Sequence, residues 1–139
     1  FFTLVVFNYL FCNGDAHLKN FSLQETDDGD YVLTPAYDLI NTSIHVDDGD
    51  FALHEGLIPK SEYSDIYSKT FHPCKDDFVT FATRIGVLPK KINSIIEMFA
   101  TEQPKVYHLI ENSFLEDKVK LMYKQSYQER LRRFQRSDR

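Results

Sequence analysis

Residues 1–12, FFTLVVFNYLFC, carry apolar side chains nearly all round, with only Thr3 and Asn8 as polar interruptions. A stretch with no polar face must be covered on every side, so it marks the centre of the fold. The pattern predicts a fully buried helix, and the β-branched and aromatic content leaves a strand as the alternative. At about a dozen residues the run is short of the roughly 20 that a membrane-spanning helix needs. No positively charged stretch precedes it, as a signal peptide would require. The sequence opens in mid-run at Phe1 and reads as a piece cut from something longer.

The run gives way abruptly to NGDAHLKN at 13–20. Asn13-Gly14 is a turn or helix-stop signal. Two short apolar runs, in NFSLQE and YVLTP, then flank TDDGD, and Asp28-Gly29 between them predicts a hairpin over 21–34. Pro35 ends its second strand, because proline cannot donate to a ladder. AYDLINTS follows as a loop, DDGD at 47–50 as a second turn, and FALHEG as a short extended piece.

Beyond residue 62 the chain reads as helical. CKDDFVTFATRIG places Phe78, Phe81, Ala82 and Ile85 at helical spacing, with acids early, Arg84 late and Gly86 as a stop. PKKINSIIEMFA starts on Pro89 and sets Ile92, Ile95, Ile96 and Phe99 on one face. Residues 105–114 and 115–136 continue the pattern. With 139 residues, 42% of them hydrophobic, the chain has material for one modest core. The expected architecture is one mainly α domain over 1–139. A catalytic loop, hairpin and metal-binding turn occupy 13–38, and a helical tail occupies 62–139.

Charge and cysteine usage narrow the function classes. A net charge of −5 offers no global basic field for nucleic acid. The arginines of RLRRFQR, 130–136, read as the solvated end of a helix, whose C-terminus favours positive charge, ahead of a nucleic-acid contact. Cys12 and Cys74 lack metal-ligand spacing and read as reduced thiols of a cytoplasmic protein, with a single disulfide as the alternative. Asp28, Asp30, Asp47, Asp48 and Asp50 read as solvated turn residues. The spaced ligands and terminal Glu of an EF-hand loop are missing around DDGD.

The polar loop itself carries chemistry. Asp15 and Asn20 lie five positions apart. In phosphoryl transfer an aspartate accepts the proton of the attacking hydroxyl, while an asparagine slightly further on offers its amide oxygen to a magnesium ion. Magnesium takes hard oxygen ligands and shares a few protein groups with phosphates and water, so a second carboxylate is expected. Asp38, in TPAYDLI, arrives where a hairpin would return the chain to its starting point. The Asp/Asn pair alone is a weak signal. His17, the apolar lead-in, the hairpin and Asp38 together make it stronger.

NGDAHLKNFSL…YVLTPAYDLINTS resembles the C-terminal half of HipA-type serine/threonine kinases, the toxins of bacterial toxin–antitoxin modules. That family carries D-x-H-x-K-N-F-S followed, after a hairpin, by L-x-P-x-Y-D. The match is close over residues 5–43, and the remainder is similar only in pattern. The resemblance implies a kinase C-lobe-like helical domain with a small β-hairpin beside the catalytic loop. It implies ATP and Mg2+ as cofactors and Asp15 as the catalytic base. Asn20 and Asp38 become metal ligands, and His17, Lys19 and Tyr37 lie beside the nucleotide phosphates. From the residues alone, His17 serves equally as an orienting group or a loop brace, and Lys19 reads as a solvated lysine ahead of a phosphate contact. A protein substrate and a helix-turn-helix antitoxin are the implied partners, with DNA reached only indirectly and no membrane involved.

The five glycines sit singly at turns, so no Gly-rich loop covers the phosphates, and no strand with an interior lysine precedes Asp15. Two readings of different class follow. The chain is the catalytic C-lobe of a kinase completed by an N-terminal lobe in cis or in trans, inactive by itself. Alternatively it is a non-catalytic interaction module that binds an antitoxin-like repressor.

Overall fold

The computed structural model describes residues 1–138. Among them are six α-helices: α1 (Phe2–Leu10), α2 (Asp65–Thr70), α3 (Lys75–Arg84), α4 (Pro89–Ala100), α5 (Pro104–Glu111) and α6 (Asp117–Phe134). One two-stranded antiparallel sheet pairs β1 (Leu23–Glu25) with β2 (Tyr31–Leu33). The chain is therefore mainly helical with a small hairpin, as the sequence pattern predicts. Among the described residues no helix is long and apolar enough to cross a membrane. The tail expected to run helically to 139 is helical to Phe134, and Arg139 lies outside the described residues.

The apolar run forms α1 and takes the central place. Phe2, Val5, Val6, Tyr9 and Leu10 are buried in a core shared with α3, α4 and α6. The Phe78 ring of α3 lies tilted against Tyr9, centroids 5.0 Å apart, and edge-to-face with Phe134 of α6 at 5.1 Å. Burying one such side chain contributes about 1.5–3 kcal/mol. A helix apolar on most sides obtains this from several neighbours at once, which settles helix over strand for residues 2–10.

Local signals fix the other elements. Pro89 occupies the first turn of α4, where its missing N–H costs nothing. Gly86 follows α3 with φ +78°, the left-handed conformation that suits a glycine past a helix end. In the hairpin Leu23 faces Leu33, Gln24 faces Val32 and Glu25 faces Tyr31. Gly29, at φ +80°, makes the turn.

Four expectations need correction. FALHEG, 51–56, forms bends and turns, not an extended piece. Ile85 is 42% exposed, because α3 ends at Arg84 and the following residue leaves the buried face. Asp50 is no solvated turn residue. Its side chain is 12% exposed, paired with Arg130, hydrogen-bonded to His72 Nδ1 at 2.8 Å, and 3.7 Å from Arg133. Arg130 is likewise not part of a solvated helix end: it is buried, with its guanidinium 4.9 Å over the Tyr9 ring. Cys12 and Cys74 are both buried free thiols.

Candidate active site

The polar loop leaves α1 through Cys12, which has φ +56°, and tightens into a 3₁₀ turn over Leu18–Asn20. The hairpin then carries the chain out and back to Asp38. A close approach pins the loop from one side. A Cβ on Gly14 would sit 2.6 Å from the Asp48 Cβ, so only glycine fits there.

Asn20 and Asp38 meet directly. The Asn20 Nδ2 donates to Asp38 Oδ2 at 2.8 Å and, more weakly, to the Asp15 main-chain carbonyl at 3.3 Å. Eighteen positions apart in sequence, the two side chains are brought together by the hairpin between them. Asp38 itself has φ +56°, a conformation uncommon for any residue but glycine, though aspartate and asparagine tolerate it best.

The Asp15 carboxylate is 66% exposed and lies 3.8 Å from His17 Nε2. His17 Nδ1 is buried without a hydrogen-bond partner among the described residues. Lys19 is exposed, and its carbonyl accepts a 2.8 Å bond from the Tyr37 hydroxyl. That hydroxyl also lies 2.7 Å from Ser22 Oγ, so Tyr37 braces the loop against the hairpin. The Thr34 N–H donates to the Ser22 carbonyl at 2.9 Å, one step beyond the paired strands.

Among the described residues, no group of three or more His, Cys, Asp or Glu side chains is gathered to hold a metal. Asn20 and Asp38 nevertheless fit a magnesium ion that takes its remaining ligands from phosphate and water. Both supply hard oxygens, and a half-turn of the Asn20 amide puts its oxygen where its nitrogen now faces Asp38.

Sequence reasoning missed the buried supports of this loop. Asn13 and Thr42 tie residues 12–14 to the segment after Asp38. Gly14 N–H donates to Thr42 Oγ1 at 2.9 Å, and Asn13 Nδ2 donates to the Asp38 carbonyl at 2.9 Å. Asn13-Gly14 signals a turn, and nothing in the local sequence says what the asparagine amide will reach.

The sequence profile of the HipA-like C-terminal domain matches residues 1–107. The chain belongs to that family. A protein of Haemophilus influenzae named as a putative kinase is 29% identical over 125 residues, covering 82% of this chain and 35% of that protein. The chain thus spans about a third of the length of the curated relative it matches. The site described above lies wholly within the part matched to the HipA-like C-terminal domain.

Proposed function

We propose that this HipA-like domain is the catalytic portion of an ATP-dependent protein serine/threonine kinase, acting in the cytoplasm as the toxin of a toxin–antitoxin pair. The observation that carries the reading is the Asn20–Asp38 contact, made across a hairpin and set on the same loop as an exposed Asp15 carboxylate. Its placement suits a general base. Asp15 accepts the proton of a substrate serine or threonine hydroxyl as that oxygen bonds to the terminal phosphorus of ATP, and the bond to the ADP oxygen breaks. His17 orients the Asp15 carboxylate, and Tyr37 holds the loop at Lys19. Asn20 and Asp38 would hold magnesium, which neutralises charge on the phosphates.

Several apolar side chains stand exposed near this site. Leu23, Tyr31 and Leu33 share one face of the hairpin and are exposed, as are Leu39 and Ile40 just past Asp38. Apolar surface gathered in this way suits contact with another part of the protein. We assign the phosphate-covering loop, a phosphate-binding lysine and the adenine contacts to an N-terminal lobe outside this chain, supplied in cis or in trans. The partners are a protein substrate and a helix-turn-helix antitoxin, with DNA reached through the antitoxin.

Calorimetry with Mg-ATP tests the reading on the full-length protein. Asn20→Ala and Asp38→Ala are each expected to weaken Mg-ATP binding about tenfold or more. The isolated chain is expected to bind more weakly than the full-length protein. Unchanged affinity in both variants contradicts the assignment.

A further inference from the structure

We infer that Asn13 is a positioning residue for Asp38, and that with Thr42 it forms a clasp setting the loop of Asp15 and Asn20 against the Asp38 turn. What the Asp38 carboxylate then does rests on the kinase reading above.

Asn13 is 4% exposed. Its Nδ2 gives one hydrogen to Asn8 Oδ1 at 3.0 Å and the other to the Asp38 carbonyl at 2.9 Å. The second bond fixes the amide orientation, because the flipped amide would press its oxygen against a carbonyl oxygen. Asn13 Oδ1 is buried without a hydrogen-bond partner among the described residues. A buried unpaired acceptor costs stability that an apolar side chain of similar size would avoid. The two donor hydrogens are what an amide adds at this position.

Thr42 completes the clasp from the other side. Its N–H and its hydroxyl both donate to the Cys12 carbonyl at 3.0 Å, while Oγ1 accepts from Gly14 N–H. Cys12 and Asp38, one on each segment, are non-glycine residues at φ +56°. Left-handed conformations at such residues persist where surrounding bonds over-determine them. A donor on the Asp38 carbonyl fixes the peptide plane that follows Asp38. That plane helps set the direction of the carboxylate toward Asn20.

The test uses the full-length protein and two readouts. The first is the 13Cα and 13Cβ chemical shifts of Asp38 without metal, which report its left-handed conformation. The second is the Mn2+ dissociation constant with a non-hydrolysable ATP analogue, read by electron paramagnetic resonance. Asn8→Ala removes the other partner of Asn13 and serves as the structural control. Asn13→Ala and Asn8→Ala are both expected to lower the thermal midpoint. Only Asn13→Ala is expected to move the Asp38 shifts toward ordinary values and weaken Mn2+ binding about tenfold or more. Should Asn13→Ala not fold, Thr42→Val is expected to give the same two changes and Thr42→Ser to restore both. Unmoved Asp38 shifts in folded Asn13→Ala overturn the clasp, as do equal effects of Asn8→Ala on both readouts. A wild-type protein that binds no Mn2+ with the analogue overturns the kinase reading, and the metal-free shifts still decide the clasp.

Discussion

The Asn20 side-chain amide donates to the Asp38 carboxylate at 2.8 Å, from opposite ends of a hairpin that pairs three residues per strand. A two-stranded hairpin has marginal stability by itself. The contact therefore depends on what anchors the two ends, and those anchors include the buried Asn13 just after α1 and the buried Thr42 just after Asp38.

The first prediction concerns the Asp38 backbone. At φ +56°, a Cβ crowds the neighbouring carbonyl and costs about 1 kcal/mol or more, which glycine avoids. Asp38→Gly and Asp38→Ala both remove the carboxylate. Urea unfolding is expected to show Asp38→Gly the more stable of the two by about 1 kcal/mol. Equal stabilities would mean that the backbone relaxes away from this conformation.

The second concerns the Asp50–Arg130 pair, which joins the loop after the Thr42 turn to α6. Both side chains are nearly covered, at 12% and 10% exposure. Removing one partner leaves the other charge buried and unpaired, at a cost of about 3–5 kcal/mol. Asp50→Ala is expected to lose that much stability in chemical unfolding. A loss below about 1 kcal/mol, the range of a surface ion pair, would show the pair to be solvated.

The third concerns pH. Burial holds the Cys74 thiol above its ordinary value, and a hydrogen bond with Ser64 partly opposes this. The fold therefore favours the neutral thiol, while the unfolded thiol ionises near pH 8.5. Below that pH both states keep the proton and the thiol adds no pH dependence. As pH rises from the unfolded value toward the folded one, the unfolded state loses its proton first and stability falls. The wild type is expected to lose more stability than Cys74→Ser above about pH 8.5. Parallel curves would place the thiol in contact with water.

Much of this molecule is legible in local sequence, and what is not has a common cause. The apolar run, the Asp-Gly turn, Pro89 and Gly86 each act within a few residues, so α1, the hairpin, the start of α4 and the end of α3 could be read directly. The proximity of Asn20 and Asp38 follows from the hairpin between them. Asp50 and Arg130 are eighty positions apart, and no local pattern separates the ion-paired Asp50 from the other aspartates beside it in DDGD. Asn13 was hidden differently, since Asn-Gly marks a turn whatever the amide touches. Ile85 kept the spacing of α3 but sits where the helix has already ended.

Under the proposed function, the loop of Asp15 and Asn20, with Asp38, performs phosphoryl transfer. Transfer of the labelled terminal phosphate of ATP to protein, measured with full-length wild type and with Asp15→Ala, tests this most directly. Losing a general base lowers such a rate about 10²–10⁴-fold. The Asp15 side chain is 66% exposed, so Asp15→Ala is expected to keep the wild-type unfolding midpoint while losing transfer by that factor. Wild-type transfer that persists undiminished in Asp15→Ala, or a wild type that transfers no phosphate, would contradict the claim.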